Sequence, residues 1–176
     1  MDGVKPSSDP NDWQAEPVDG PFATAGWHER LAALYAYWRR IRPAPDLLPG
    51  RQHFDPIDVP KALASIWLLD VQREPLRFRY RLIGTNVVRM IGGDFTGQWF
   101  DEARPAIGKV MPRMVRYRLM VETGRATWRK GTPLLAPDPY WKSTENVLMP
   151  LADDGRNVDM LLCASVYYNH DGTLVL

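Results

Sequence analysis

The chain of 176 residues is 45% hydrophobic and 24% charged, a composition typical of one globular domain that can build its core without metals or disulfides. Lys and Arg number 22 and Asp and Glu 21, and the net charge of +1 argues against nucleic acid or an anionic membrane surface as a partner. No apolar run approaches about 18 residues, no leader pattern opens the chain, and the single Cys163 fits a reducing compartment, so we expect a cytoplasmic protein.

The first 45 residues divide into two parts. Residues 1–23 are rich in Pro, Asp, Ser and Gly without periodicity, which predicts a flexible N-terminal tail. Residues 24–45 predict an amphipathic flanking helix that Pro43 ends. Its apolar stripe is too large to stay in water, so it packs either on its own domain or, as a dimer or partner helix, on another chain. The stripe consists of Trp27, Leu31, Leu34, Tyr35, Trp38 and Ile41.

Two strands follow, after a loop and a short helix. Residues 65–71 are β-rich, and across 77–82 the residues alternate between arginine and apolar side chains, which predicts an antiparallel hairpin with one apolar and one basic face. The basic face either binds an anion or is solvated and paired with acidic residues of the neighbouring strand. It consists of Arg77, Arg79 and Arg81, opposite Phe78, Tyr80 and Leu82.

The region after the hairpin predicts short helices and one longer helix. That helix begins at Pro105 or afresh at Pro112 and ends before Gly124. Its apolar side carries Val110, Met114, Tyr117 and Val121, and Arg113 and Arg116 are predicted to face away. Three further strands are predicted at 125–134, 141–151 and 157–168, the last of them central because both of its faces are apolar.

Short motifs in this order resemble those of bacterial PAS domains. The resemblance covers about residues 46–169, and each motif is weak alone but fairly specific in combination. The motifs, with x for any residue, are LPxR (48–51) with FDP (54–56), FRYRLIGT (78–85), GxDxTG (92–97), ExVLMPL (145–151) and DG (154–155).

The resemblance implies an α+β PAS domain over residues 46–170. Such a domain has a five-stranded antiparallel sheet with helices on one face, and an N-terminal amphipathic helix commonly flanks it. Family members sense small molecules, cofactors or redox state, or mediate contacts with partners. A non-catalytic sensory or regulatory role in signalling is therefore expected here.

If that fold is adopted, aromatic and methionine side chains surround one place between sheet and helices. They form either a small-molecule pocket, with Tyr80 or Tyr117 as the polar handle, or an ordinary core. The predicted lining consists of Phe78, Tyr80, Leu82, Trp99, Met114, Tyr117, Met149 and Leu162.

The positions of cysteine and histidine disfavour two cofactors of the family. Light-sensing PAS domains carry a flavin-reactive cysteine in the helical region, and haem-binding ones carry a histidine there, but residues 85–123 contain neither. We therefore expect no covalent flavin, no haem and no other tightly bound cofactor. The scattered His28, His53 and His170 also give no expectation of a metal site.

Two other functions remain as alternatives. A cone-shaped enzyme of the ketosteroid-isomerase kind would use a buried carboxylate such as Glu145 with a tyrosine in an apolar cavity. A pure interaction module would use the apolar stripe of the N-terminal helix to form a homodimer or bind a signalling protein. No output domain is recognisable, so we expect any signal to leave through protein contact.

Overall fold

The structure is a computed structural model that describes residues 12–103, 111–133 and 143–175. Its helices are α1 (Glu29–Arg40), α2 (Thr85–Ile91), α3 (Phe100–Ala103) and α4 (Met111–Thr123), with short 3-10 helices at Arg51–His53, Pro56–Asp58 and Leu63–Ser65. Its strands are β1 (Gln14–Ala15), β2 (Ile66–Gln72), β3 (Arg77–Ile83), β4 (Thr127–Gly131), β5 (Ser143–Leu151) and β6 (Met160–Tyr168).

The described strands form one antiparallel sheet in the order β1-β4-β5-β6-β2-β3. The α+β class with a flanking helix is confirmed, and β6 lies inside the sheet as its two apolar faces predicted. The sheet has six strands rather than the five predicted, because β1 pairs with β4 at the edge.

The prediction of a flexible tail over 1–23 is wrong for its second half. Gln14 pairs with Trp128, and the next residue but one, Glu16, is 5% exposed. The Glu16 carboxylate accepts hydrogen bonds from Tyr35 and Arg39 of α1. Composition favours a loop here, but backbone pairing and a buried carboxylate hold the segment in place. Residues 1–11 lie outside the described part of the chain.

Helix α1 covers one face of the sheet, which we call the outer face and define by Glu145, Val147 and Met149 of β5. Trp38 is fully buried and its Nε1 donates to the carbonyl of Pro150 over 2.9 Å. The helix begins where His28 Nδ1 accepts a hydrogen bond from the backbone of Arg30, as an N-cap does.

Of the two alternatives for the stripe on α1, the structure shows packing on its own domain, and a dimer or partner contact through these residues stays a prediction. The stripe packs on its own sheet, because burying several aromatic rings there removes a large apolar area from water without a second chain. Leu31, Leu34, Tyr35 and Trp38 are at most 3% exposed, and Trp27 and Ile41 are partly buried.

Strand β3 changes face near its end. The register between β2 and β3 shifts so that Leu69 pairs with Tyr80 and Leu68 with Leu82, which leaves Arg81 as the extra residue of a bulge. Leu82 is therefore 45% exposed, whereas Ile83 is 9% exposed. The predicted position of Leu82 in a pocket is wrong, because strict alternation does not survive the bulge.

Helix α4 begins with Met111, so Pro112 lies in its first turn, where its missing N–H costs nothing. Gly124 ends the helix with a φ of +66°. Val121 and Tyr117 are buried as predicted, but Arg116 is also buried, at 7% exposure, and does not face solvent. Val110 and the side chain of Arg113 lie outside what the structure describes.

Candidate functional site

A cavity of about 60 Å³ lies on the opposite, inner face of the sheet, which we define by Asn146 and Leu148 of β5. Side chains alternate along a strand, so these residues point away from α1. Helices α2, α3 and α4 close the other side. Its walls combine aromatic and apolar with polar side chains, among them Trp67, Tyr80, Ile91, Arg116, Asn146 and Ser165.

Two of the eight predicted pocket residues, Tyr80 and Tyr117, line this cavity. Phe78 packs against Tyr117 with ring centroids 5.2 Å apart, and it lines a neighbouring cleft together with Met114. Phe100 of α3 completes an aromatic cluster, since its ring lies 5.1 Å from Tyr80 and 5.6 Å from Tyr117. The cluster forms the wall of the cavity nearest β3.

The predicted placement of Met149 and Leu162 in the pocket is wrong. The two residues pair directly across β5 and β6 and are both fully buried. Met149 lies two positions beyond Val147 on β5, so it and its partner Leu162 lie on the outer face. Both faces of β5 and β6 are apolar, so no period along these strands indicates which face a residue takes, and Leu148 lines the cavity instead.

Trp99 also lies away from the cavity, although it was predicted to line it. Its ring lies beneath the guanidinium groups of Arg77 and Arg79, at 4.4 and 5.7 Å. Arg79 forms an ion pair with Asp70 of the neighbouring strand, and Arg77 binds Asp101 and Glu102. Of the two interpretations of the basic face, the structure therefore favours solvated arginines paired with acids.

Arg116 lines the cavity, although the sequence predicts that it faces away from the apolar side of α4. Its Nε donates to Thr127 Oγ1 over 2.8 Å, and its terminal nitrogens donate to Asn146 Oδ1 at 2.7 Å and to the Thr127 carbonyl at 3.1 Å. Burial lowers the pKa of the Arg116 guanidinium to about 10, and the positive charge of Arg129 acts in the same direction. Position 116 lies one helical turn before the apolar Met120, and this spacing indicates that both share one side of α4. Met120 is fully buried there.

The floor of the cavity is polar where β5 and β6 meet. Ser165 accepts a hydrogen bond of 3.2 Å from Trp67 Nε1, and Thr144 donates to the Val166 carbonyl. Arg129 of β4 is 1% exposed and also lines the cavity. The cavity lining therefore combines the buried guanidinium groups of Arg116 and Arg129 with hydroxyl groups of the sheet.

On the outer face, Glu145 is fully buried and holds the N-terminus of α1. Its Oε1 accepts from the His28 backbone at 2.7 Å and from Trp128 Nε1, and its Oε2 accepts from Tyr168 at 3.0 Å and lies 3.3 Å from Lys130 Nζ. Burial and the Glu145 charge raise the pKa of the Tyr168 hydroxyl.

The enzyme alternative uses a buried carboxylate such as Glu145 with a tyrosine in an apolar cavity. Glu145 is buried and bonded to Tyr168, but it lies on the outer face against Lys130 and does not line the cavity. Among the described residues that line the cavity, none is acidic.

Cysteine and histidine are also missing from the described lining of the cavity. Cys163 is fully buried on β6, and burial raises the pKa of its thiol. Within residues 12–103, 111–133 and 143–175, no group of side chains is arranged to hold a metal ion. No helix in the same ranges is long and apolar enough to cross a membrane.

Comparison with solved structures finds an RNA-binding Light-Oxygen-Voltage receptor, which aligns with 92% of this chain at 15% identity and a TM-score of 0.46. The chain spans 39% of the length of that receptor. At this level of similarity the match carries no information about ligand or partner. No curated protein matches the chain.

A family model described as a PAS domain matches residues 27–163. The match begins immediately before α1 and ends within β6, so it includes the flanking helix, most of the sheet and the helices over the cavity. This chain therefore belongs to the PAS domain family.

Proposed function

We propose that this protein is a non-catalytic sensory module in which a small molecule in the inner-face cavity changes how α1 is held on the outer face. Family membership supports the sensory role. The observation that carries the proposal is the pair of neighbouring residues Glu145 and Asn146 on β5. Asn146 binds Arg116 beside the cavity, while Glu145 binds the N-terminus of α1.

Strand β5 is the physical link between the two sites. Adjacent residues of a strand lie about 3.8 Å apart and point to opposite faces, so a shift of one carries the other with it. A guest that draws Arg116 away from Asn146 alters the support of β5 on its inner side. The Glu145 contact with His28, at 2.7 Å, is then the first outer-face contact to respond.

The output would be a change in the docking of α1. The N-terminal end of α1 is held by polar contacts to Glu145, whereas Trp38 near the other end is fully buried. Local opening at the polar end costs less than undocking the whole helix. Opening there uncovers Trp27 and Leu31, an apolar surface suited to a signalling partner or a second copy of this chain.

Two measurements test this proposal. Native mass spectrometry of the purified protein shows whether a small molecule co-purifies and what mass it has. Hydrogen exchange of the α1 amides is then compared between wild type and Val87→Leu, which adds a methylene group to the cavity wall. The matched control is Val115→Leu, the same change at a side chain that is 54% exposed.

We expect severalfold altered exchange in α1 for Val87→Leu and none for Val115→Leu. Exchange of β6 amides serves as the internal reference, because a global loss of stability changes α1 and β6 together. Unchanged α1 exchange in Val87→Leu, alongside altered exchange in α2, would show that the cavity and α1 are not coupled.

A further inference from the structure

Arg116 carries a buried positive charge, and no acidic side chain in the described part of the chain neutralises it. It is 7% exposed, and it donates hydrogen bonds to the hydroxyl and carbonyl of Thr127 and to the side-chain oxygen of Asn146. All three acceptors are neutral. None of the ion pairs among the described residues involves it. A buried charge is normally paired, because neutral hydrogen bonds replace only part of its hydration.

Counted over the hydrogen bonds among described residues, the guanidinium also has unused donor capacity. Its three bonds come from three different nitrogens, so each terminal nitrogen keeps one N–H after donating to Asn146 or Thr127. Those two N–H groups belong to a side chain that lines the cavity. A planar guanidinium with a free N–H on both terminal nitrogens is the donor arrangement that binds a carboxylate through two parallel bonds.

Arg129 adds a second guanidinium to the same cavity. It is 1% exposed, and its terminal nitrogen donates to the Thr132 carbonyl. Its positive charge acts together with burial to disfavour the charged form of Arg116.

The rest of the cavity limits the size and character of such an anion. The space is about 60 Å³, whereas an engineered cavity of about 150 Å³ holds benzene, so only a few non-hydrogen atoms fit. Trp67, Ile91 and Leu148 offer an apolar wall to the end of the molecule that carries no charge.

We infer that the cavity binds a short-chain carboxylate, such as acetate or propionate, with its carboxylate on Arg116 and its alkyl end against the apolar wall. This inference rests on the proposed ligand-sensing function and specifies its ligand class. The carboxylate supplies the acidic partner that Arg116 does not have among the described residues, and the short chain fills the remaining volume.

The test is calorimetric titration of the full chain with acetate, propionate and acetamide, at ionic strength fixed with sodium chloride. Acetamide has the shape of acetate without its charge. Because a hydrogen bond to a charged group contributes about 1.5–3 kcal/mol, we expect acetamide to bind at least about tenfold more weakly than acetate. Arg116→Met should weaken acetate binding by a similar factor. Arg118→Met, the same change at an exposed position of α4, should leave it within about twofold.

The comparison of acetate with acetamide uses wild-type protein, so it decides the question even if Arg116→Met does not fold. Equal binding of the two, no binding of either carboxylate, or an equal loss in Arg118→Met would overturn the inference. A neutral guest in the native mass spectrum would also overturn it while leaving the sensory proposal intact. Acetate binding without any change in α1 exchange would instead support the ligand class and contradict the coupling to α1.

Discussion

Glu145 accepts a hydrogen bond of 2.7 Å from the backbone N–H of His28, a residue 117 positions earlier in the chain. The contact joins the first turn of α1 to the sheet. Lys130, Trp128 and Tyr168 surround the same carboxylate. These donors offset the cost of burying the Glu145 charge, so removing the carboxylate or one of its donors should destabilise the contact between α1 and the sheet.

Replacing Glu145 by glutamine should therefore cost about 2–4 kcal/mol of unfolding free energy. Glutamine keeps the shape but turns an NH₂ group toward donors and leaves Lys130 without its partner. Urea unfolding measures the loss, and faster exchange at the N-terminus of α1 should accompany it. Glu122→Gln, at an exposed position of α4, is the control and should stay within about 0.5 kcal/mol. A Glu145→Gln variant as stable as wild type would contradict this role.

Acidification should weaken the docking of α1 through His28. Burial lowers the pKa of this histidine below 6.5, although the Glu145 charge opposes the shift. The unfolded chain therefore binds more protons as the pH falls through 6.5, so stability is full above that pH and declines below it. Protonation also removes the Nδ1 acceptor that caps Arg30.

The variant that isolates this effect is His28→Asn, which keeps a capping acceptor but does not titrate. We expect the melting temperature of wild type to fall more than that of His28→Asn between neutral pH and about pH 5. His170→Asn is the control and should follow wild type. Identical pH profiles for wild type and His28→Asn would count against the prediction.

Removing the Glu16 carboxylate should destabilise α1, although composition predicts a flexible tail there. Glu16→Ala leaves Tyr35 and Arg39 without their acceptor, and we expect a cost of about 2–3 kcal/mol in urea unfolding. Burial and the hydrogen bond to Glu16 raise the pKa of Tyr35 to about 12. Spectrophotometric titration should show a lower tyrosine pKa in the variant.

The control for Glu16 is Asp19→Ala, three residues further on at an exposed position. It should change the free energy of unfolding by less than about 0.5 kcal/mol. Equal effects of the two substitutions would mean that the segment is not anchored through Glu16.

The bulge in β3 predicts that replacing Leu82 by alanine costs much less stability than the same change at a core leucine. Leu162→Ala removes a fully buried side chain and should cost about 2–5 kcal/mol. Leu82→Ala should cost less than about 1 kcal/mol, because Leu82 is 45% exposed. Unfolding in urea measures both values, and equal costs would mean that Leu82 points into the core.

Local patterns in the sequence determined most of the elements. The spacing of Trp27 to Ile41 predicted an amphipathic helix, and the structure has α1 at Glu29–Arg40. Alternation from Arg77 to Leu82 predicted β3, and Gly124 marked the end of α4. These features depend on neighbours within one helix or strand, so the spacing of apolar and polar side chains along that element is enough to predict them.

The tertiary structure alone decided which face of each element meets which partner. Met149 and Leu148 are equally apolar, so no period tells which of them faces α1 and which the cavity. Arginine is usually a surface residue, but Arg116 is buried because Thr127 of β4 and Asn146 of β5 accept its hydrogen bonds. Strand register, a bulge and long-range hydrogen bonds place these side chains. The cavity and the contact of Glu145 with His28 therefore form only when the sheet is assembled.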